Sequence, residues 1–460
     1  MSTITTTGQG PDGPRRSPEA EPPVPMPDAE RPVPSPDAER PVPSPDAERP
    51  VPRRSLWRDR GYLAWLASDT SSALATSVQG FVLPLVVLLL TGDPAVAGLV
   101  AAAGLGARVL TTIVGGVLAD RHDLRRLMVT GGMLGVLVLA AMALGYAAGL
   151  GVAVLAALNV AAGARSGLFG SASNAALRQA VPAPLLPRAM SANQGRDAAL
   201  AMGGGPLGGL LLGVGPVLAL GAAAAAHLLA ALSALGMRGS FAPAPRPEGH
   251  RASVRREAAE GLRWLWRQPV LRTIALVAAV LNLGLNAALT TVIYSFGAQG
   301  VAPARIGLVS LALGCGMLAG SLVAGALVDR LPTGWVAAGG LAWLSGSVAV
   351  LPWLPGFWPT LAVLALGTLS APAVNAAVLG YLLHVTPRRV LGRVSSAVEL
   401  LAAGAVPLAP VVAGLGLAAL GLRPTLLLCA GCCLLALVLV VSSREVRQLP
   451  RPAQWDAAQE

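Results

Sequence analysis

Six ionisable side chains stand where the neighbouring residues are almost wholly apolar: Asp69, Arg108, Arg165, Arg196, Asp197 and Glu399. An ion in hydrocarbon costs several kcal/mol, so charges kept there pair with one another or serve a pathway. A carboxylate beside a guanidinium stays ionised; drawn away from it, or closed into an apolar site, it takes up a proton. A helical rise of about 1.5 Å per residue puts Asp69, Arg165, Arg196 and Asp197 on the order of 10 Å from one end of their segments, with Arg108 near mid-depth and Glu399 shallower. Equal depth invites pairing of Asp69 with Arg165 or Arg196. Asp69 is therefore the first candidate for carrying a proton and Asp197 the second. The alternative is a static ion pair that stabilises the bundle.

A second pattern sits at two helix ends. GVLADR carries Gly116, Asp120 and Arg121, with Arg125 and Arg126 following; GALVDR carries Gly325, Asp329 and Arg330 without the later arginine pair. Pro94 and Gly98 precede the first and Pro303 and Gly307 the second, all at one offset, 303 − 94 = 209 residues. The chain is thus an internal duplication, and a parallel repeat of six-helix halves is a known membrane architecture. A third pattern, GGGPLGG, holds Gly205, Pro206, Gly208 and Gly209. Glycine and proline bend and thin a helix so that a neighbour can rock against it; close packing alone would use the same residues. A phosphate-cradling loop is excluded because no strand precedes it.

These residues need helices that cross a membrane. Of 460 residues 54% are hydrophobic and 12% charged, against about 25% charged in a soluble domain. Apolar runs long enough to cross about 30 Å recur near 62–90, 94–119, 126–147, 150–173, 189–213, 216–237, 270–296, 304–328, 334–353, 357–384, 392–417 and 421–442. With twelve spans nearly every arginine outside them falls on one side, Arg305 and Arg423 excepted. Positive residues mark the cytoplasmic side, so both termini are expected there, and the net charge of +11 needs no nucleic acid. Residues 54–238 and 270–443 form the two halves. Between them, 239–269 is a cytoplasmic linker whose SVRREAAEGLRWLWRQPV stretch reads as an amphipathic helix on the membrane face. Residues 1–53 repeat PDAERPVPS and are expected to be a disordered, solvated tail without the apolar core of a secretory leader, and 444–460 a second cytoplasmic tail. Cys315, Cys429, Cys432 and Cys433 lie in apolar runs and suggest neither disulfides nor a metal site. No catalytic constellation or nucleotide loop is visible, so no enzyme and no cofactor is expected. Polar residues within the spans, Gln79, Asn159, Asn282, Asn286 and Asn375 among them, could line a mainly apolar cavity, whereas His227 and His384 read as hydrogen-bonded structural groups.

GGVLADRHDLRRLM resembles the signature loop of the major facilitator superfamily, and FVLPLVVLLLTGDPAVAGLV, LRQAVPAPLLPRAMSANQGRDAA and EGLRWLWRQPVLRTIALVAAVLNLG resemble its enterobactin-exporter and macrolide-efflux branch. The resemblance spans about residues 56–445. It implies an all-α, twelve-helix, monomeric antiporter of a bacterial inner membrane that exchanges protons for a small organic molecule such as a drug or secondary metabolite. It also implies that the Asp120, Arg121, Arg125, Arg126 cluster latches a cytoplasmic gate, that Asp329 and Arg330 are a reduced copy, and that spans one, four and five face the cavity. An importer or facilitator on the same fold, or a non-transporting membrane sensor with the proline-rich tail as docking arm, remains open.

Overall fold

The computed structural model describes residues 56–237, 239, 241–242, 263–387 and 391–455. The proline-rich tail, most of the linker with its expected amphipathic helix, Arg388 and Arg389 lie outside these; of the linker helix, residues 263–267 are helical. The first half comprises α1 (Arg60–Thr91), α2 (Pro94–Arg121), α3 (Leu124–Ala147), α4 (Gly151–Ala180), α5 (Leu186–Val214) and α6 (Pro216–Leu235). The second comprises α7 (Pro269–Ala298), α8 (Pro303–Arg330), α9 (Thr333–Val350), α10 (Phe357–Thr368), α11 (Ala371–Val385), α12 (Leu391–Gly404), α13 (Leu408–Leu420) and α14 (Leu422–Ser442), with a final turn, α15 (Arg444–Arg447). Twelve helical stretches among the described residues are long and apolar enough to cross a membrane, as the apolar runs require.

Two expected spans are divided. The tenth is α10 plus α11 and the eleventh α12 plus α13, the latter broken at Ala405–Pro407. Pro372 and Pro407 lack the N–H that an uninterrupted helix needs. Glu399 lies within α12, the first helix of the eleventh span. Helix starts explain other acidic residues: Asp59, Asp93 and Asp123 are N-caps whose carboxylates accept from Gly61, Ala95 and Arg126 backbone N–H groups at 2.7, 2.7 and 2.8 Å.

One buried cluster, including Val82, Leu139, Leu220, Val292, Val309 and Cys433, joins both halves toward the end that carries the 91–94 and 299–303 loops. At the opposite, arginine-rich end the buried clusters separate: one is built from residues 56–241, the others from residues 265–449. The halves meet closely through α2 against α13 and α5 against α8. A Cβ on Gly98 would strike the Pro410 carbonyl and reach Gly414 Cα at 3.1 Å; one on Gly307 would strike Gly205. Among the described residues the molecule is therefore knit at one end and parted at the other.

Candidate functional site

Small residues set the helix spacing around the charges. α2 and α4 interdigitate through glycines: a Cβ on Gly163 would enter the backbone of Gly104, and one on Gly167 would strike the Arg108 carbonyl. Thr111 Oγ1 on α2 donates to the Ala164 carbonyl on α4 at 3.1 Å. Buried Asn159 donates through Nδ2 to the Val100 carbonyl at 2.8 Å. Residues 108–111 of α2 thus lie level with 164–167 of α4, which brings Arg108 and Arg165 to one height.

Arg196 is the hub of the charge cluster. Its guanidinium bonds Asp69 on α1 and, at 2.7 Å, Asp197 beside it on α5; Nη1 also donates to Thr70 Oγ1 at 3.3 Å. Its Cζ lies 5.8 Å from the centroid of the Trp65 ring, a cation–π arrangement. Asp69 also accepts from the Ser173 hydroxyl on α4, and the backbone carbonyl of Ser173 in turn accepts from Trp65 Nε1 at 2.9 Å. The expected pairing of Asp69 is therefore realised with Arg196 and not with Arg165. Arg165 is 7% exposed and donates to the Gly131 carbonyl on α3 at 3.2 Å. The two carboxylates differ in setting: the Asp69 side chain is 19% exposed and that of Asp197 57%. Ser173, Thr70 and Trp65 were not visible as site residues in the sequence, where serines and threonines in apolar runs are too common to single out.

Two adjoining cavities, of about 420 and 170 Å³, open beside this cluster and share Thr76, Arg108, Arg165 and Ser166 in their walls. The larger reaches Asp69, Asp197 and the hydroxyls of Ser68, Ser72 and Ser173; the smaller adds Gln79 and Asn159. Every residue of both walls belongs to the first half. The cavity wall is more apolar than polar, with hydroxyls and four charges set among small residues and one aromatic, Phe169.

The other expected residues divide. In GGGPLGG, which stays helical, Gly204 and Gly208 face α1 at Ser77 and Phe81, while Gly205 and Gly209 face α8 at Ser310 and Pro303. The motif is a two-sided packing surface. Arg125 donates to the Leu235 carbonyl at the end of α6, within its own half, while Asp120, Arg121, Arg126, Asp329 and Arg330 are exposed. Gly116 and Gly325 have open space where a Cβ would stand. His227 is wholly buried against Gly135, and neither ring nitrogen has a hydrogen-bond partner among the described residues, contrary to expectation. Asn282 and Asn286 bond carbonyls of their own helix, those of Ala278 and Asn282, at 2.9 and 2.8 Å, and Asn375 is exposed.

The family model of the Major Facilitator Superfamily matches residues 65–301 and 285–459. A relative described as the multidrug efflux pump Tap of Mycolicibacterium fortuitum is 29% identical over 384 residues, covering 80% of this chain and 91% of that protein. Among solved structures, a bacterial homologue of the iron transporter ferroportin in an inward-facing state aligns over 86% of this chain and all of its own, with a TM-score of 0.66 at 16% identity. A bacterial homologue of the human lysosomal transporter Spinster, inward-facing and unoccupied, aligns over 85% and 98% with 0.65 at 15%. A mutant form of the nucleoside transporter NupG aligns over 82% and 99% with 0.63 at 12%.

Proposed function

The chain belongs to the major facilitator superfamily, and on that footing we propose that it is a proton-coupled antiporter that exports a small organic molecule from a bacterial cytoplasm. It is a multi-pass membrane transporter and not an enzyme. Export is favoured by the efflux-pump relative, which matches over 80% of this chain and 91% of its own length. The observation that carries coupling is the cross-helix grip of Arg196 on Asp69 at the wall of the larger cavity.

In this reading Asp69 exchanges its Arg196 partner for the transported proton when a rocking movement separates α1 from α5. The bundle has the form such a movement needs, with a core shared between the halves at one end and divided at the other. The arginine-rich end is taken as cytoplasmic because positive residues are retained there, so the arrangement is open inward. One chain supplies both halves and the whole cavity wall, which suits a monomer.

The test is proton movement in inverted vesicles energised to be acid inside, followed with a pH-sensitive dye. A panel of antibiotics, dyes and siderophore-like compounds is added to wild type and to Asp69→Asn. Proton release by some compound in wild type but not in the variant supports antiport through Asp69. Equal release in both leaves antiport standing and removes Asp69 from the path. Silence across the panel with correctly inserted protein rejects the exporter reading.

A further inference from the structure

Charge in the first-half cavity does not balance. Three guanidinium groups, Arg108, Arg165 and Arg196, surround it, and two carboxylates, Asp69 and Asp197, line it. Both carboxylates lie in the fork of Arg196. No carboxylate among the described residues comes within ion-pair distance of Arg108 or Arg165. Arg108 makes no side-chain hydrogen bond to any described residue, and Arg165, with five N–H groups to place, makes one, at 3.2 Å, to a backbone carbonyl.

The two are set side by side by the backbone. A Cβ on Gly167 of α4 would strike the Thr111 hydroxyl and the Arg108 carbonyl of α2, and Thr111 fixes the same level through its bond to Ala164. Both guanidinium-bearing residues line both cavities. Arg165 is buried, and a buried guanidinium is costly unless an acceptor meets it. The acceptor that suits two planar cations lining one cavity is an oxyanion, which each can bind through two N–H groups.

We infer that Arg108 and Arg165 form an anion subsite, and that the transported molecule carries a carboxylate, phosphate or sulfonate held there. This rests on the transport reading above and gives it a substrate class. The hydroxyls of Ser72, Thr76 and Ser166 provide neutral hydrogen-bonding groups for the rest of a polar ligand. The arrangement also assigns separate duties: Arg196 serves the carboxylates of the protein, and the Arg108/Arg165 pair serves the anion of the ligand. An anionic lipid headgroup offers the same chemistry, so the experiment separates the two.

The probes are a rhodamine with a free carboxylate and its methyl ester, titrated by fluorescence anisotropy against the full chain in phosphatidylcholine nanodiscs. The acid is expected to bind about ten-fold tighter than the ester. Arg108→Gln and Arg165→Gln should each bring that ratio close to one, and Arg165→Lys should restore part of it. Arg108 is exposed to the cavity, so its replacement spares the fold, which retention volume and thermal midpoint verify. Equal affinity of wild type for acid and ester, or binding of neither, overturns the proposal. So does loss of the preference when phosphatidylglycerol is added to the discs, since that gives the site to lipid; a preference that survives phosphatidylglycerol supports a soluble anion. Proton release in the vesicle assay driven by cations alone would keep the exporter reading and reject the anion subsite.

Discussion

Gly205 on α5 and Gly307 on α8 meet backbone to backbone, so that a Cβ built on Gly307 lies 2.8 Å from Pro206 Cα and one on Gly205 lies 2.8 Å from Ser310 Cβ. Gly98 and Gly414 meet in the same way between α2 and α13. The pairs are related by the repeat, since 98 + 209 = 307 and 205 + 209 = 414. The duplication seen in the Pro94/Pro303 and Gly98/Gly307 matches is therefore the two-fold relationship of the closed end itself.

From this contact follows a contrast within one motif. Gly205→Ala should destabilise by about 1–3 kcal/mol, because a methyl group there has to displace α8. Gly203→Ala, two residues away with open space at its Cβ, should be neutral or slightly stabilising, as alanine is the better helix former. Thermal midpoints of the two variants in one detergent decide it. Equal midpoints would mean that the motif bends the helix instead of spacing it.

The gate motif leads to a second contrast. Arg125 caps the last carbonyl of α6, where the helix leaves acceptors unpaired and the dipole favours a cation. Arg126, one residue on, is exposed. Arg125→Ala should lower stability by about 1 kcal/mol and Arg126→Ala by little. If Arg126→Ala instead alters transport rate at unchanged stability, the latch implied by the family resemblance is Arg126 and Arg125 is structural.

Much of this molecule was legible beforehand, and the rest failed for identifiable reasons. Twelve apolar runs announce themselves because lipid demands about 20 apolar residues per crossing. Depth along a helix follows from counting, so Asp69, Arg165 and Arg196 could be assigned one level. Azimuth does not follow from counting, and it is azimuth that gives Asp69 to Arg196 and turns Arg165 toward α3. The hydroxyl of Ser173 is one of many in such runs, and only the Asp69 contact marks it. Pro372 and Pro407 stand at the interruptions, but an apolar run hides a break that costs it no hydropathy.

A third expectation concerns the segment after the last span. Trp455 Nε1 donates to Thr333 Oγ1 at 3.3 Å and to the Pro450 carbonyl at 3.2 Å, and its ring packs on Tyr381 and His384 at 5.7 and 5.3 Å between centroids. Thr333 Oγ1 donates to the Pro450 carbonyl at 2.8 Å. The segment clips α9 to α11. Trp455→Ala should cost about 1 kcal/mol from the lost aromatic pairing, seen as a lower thermal midpoint. At the start of the clip, its own backbone N–H, the Ser443 hydroxyl, Arg272 and Arg444 hold the Glu445 carboxyl below the ordinary carboxylate range. A lowered folded value means its contribution is whole at neutral pH and fades only as acid takes the medium down through that value. Between pH 6 and 8 the difference in midpoint between wild type and Glu445→Gln should therefore stay constant, and it should shrink only in acid.

The last expectation ranks the members of the charge cluster by what each leaves behind. Removing Asp197 leaves Arg196 bonded to Asp69 and Thr70 and exposes nothing new, since Asp197 is already 57% exposed. Removing the charge of Asp69 leaves Arg196 with Asp197. Removing the charge of Arg196 strands Asp69, 19% exposed, with only the Ser173 hydroxyl. A stranded charge costs more than a vacated partner position, and partial exposure keeps the loss below that of a fully buried pair. Arg196→Gln should therefore be the most destabilising, at about 2 kcal/mol, then Asp69→Asn, with Asp197→Asn near zero. Transport should rank differently, with Asp69→Asn the most damaging to proton release. Thermal midpoints and vesicle proton release measured on the same three variants give both orders. If the two orders coincide, the cluster acts only by holding α1, α4 and α5 together; if they diverge as stated, Asp69 does chemistry that stability alone does not explain.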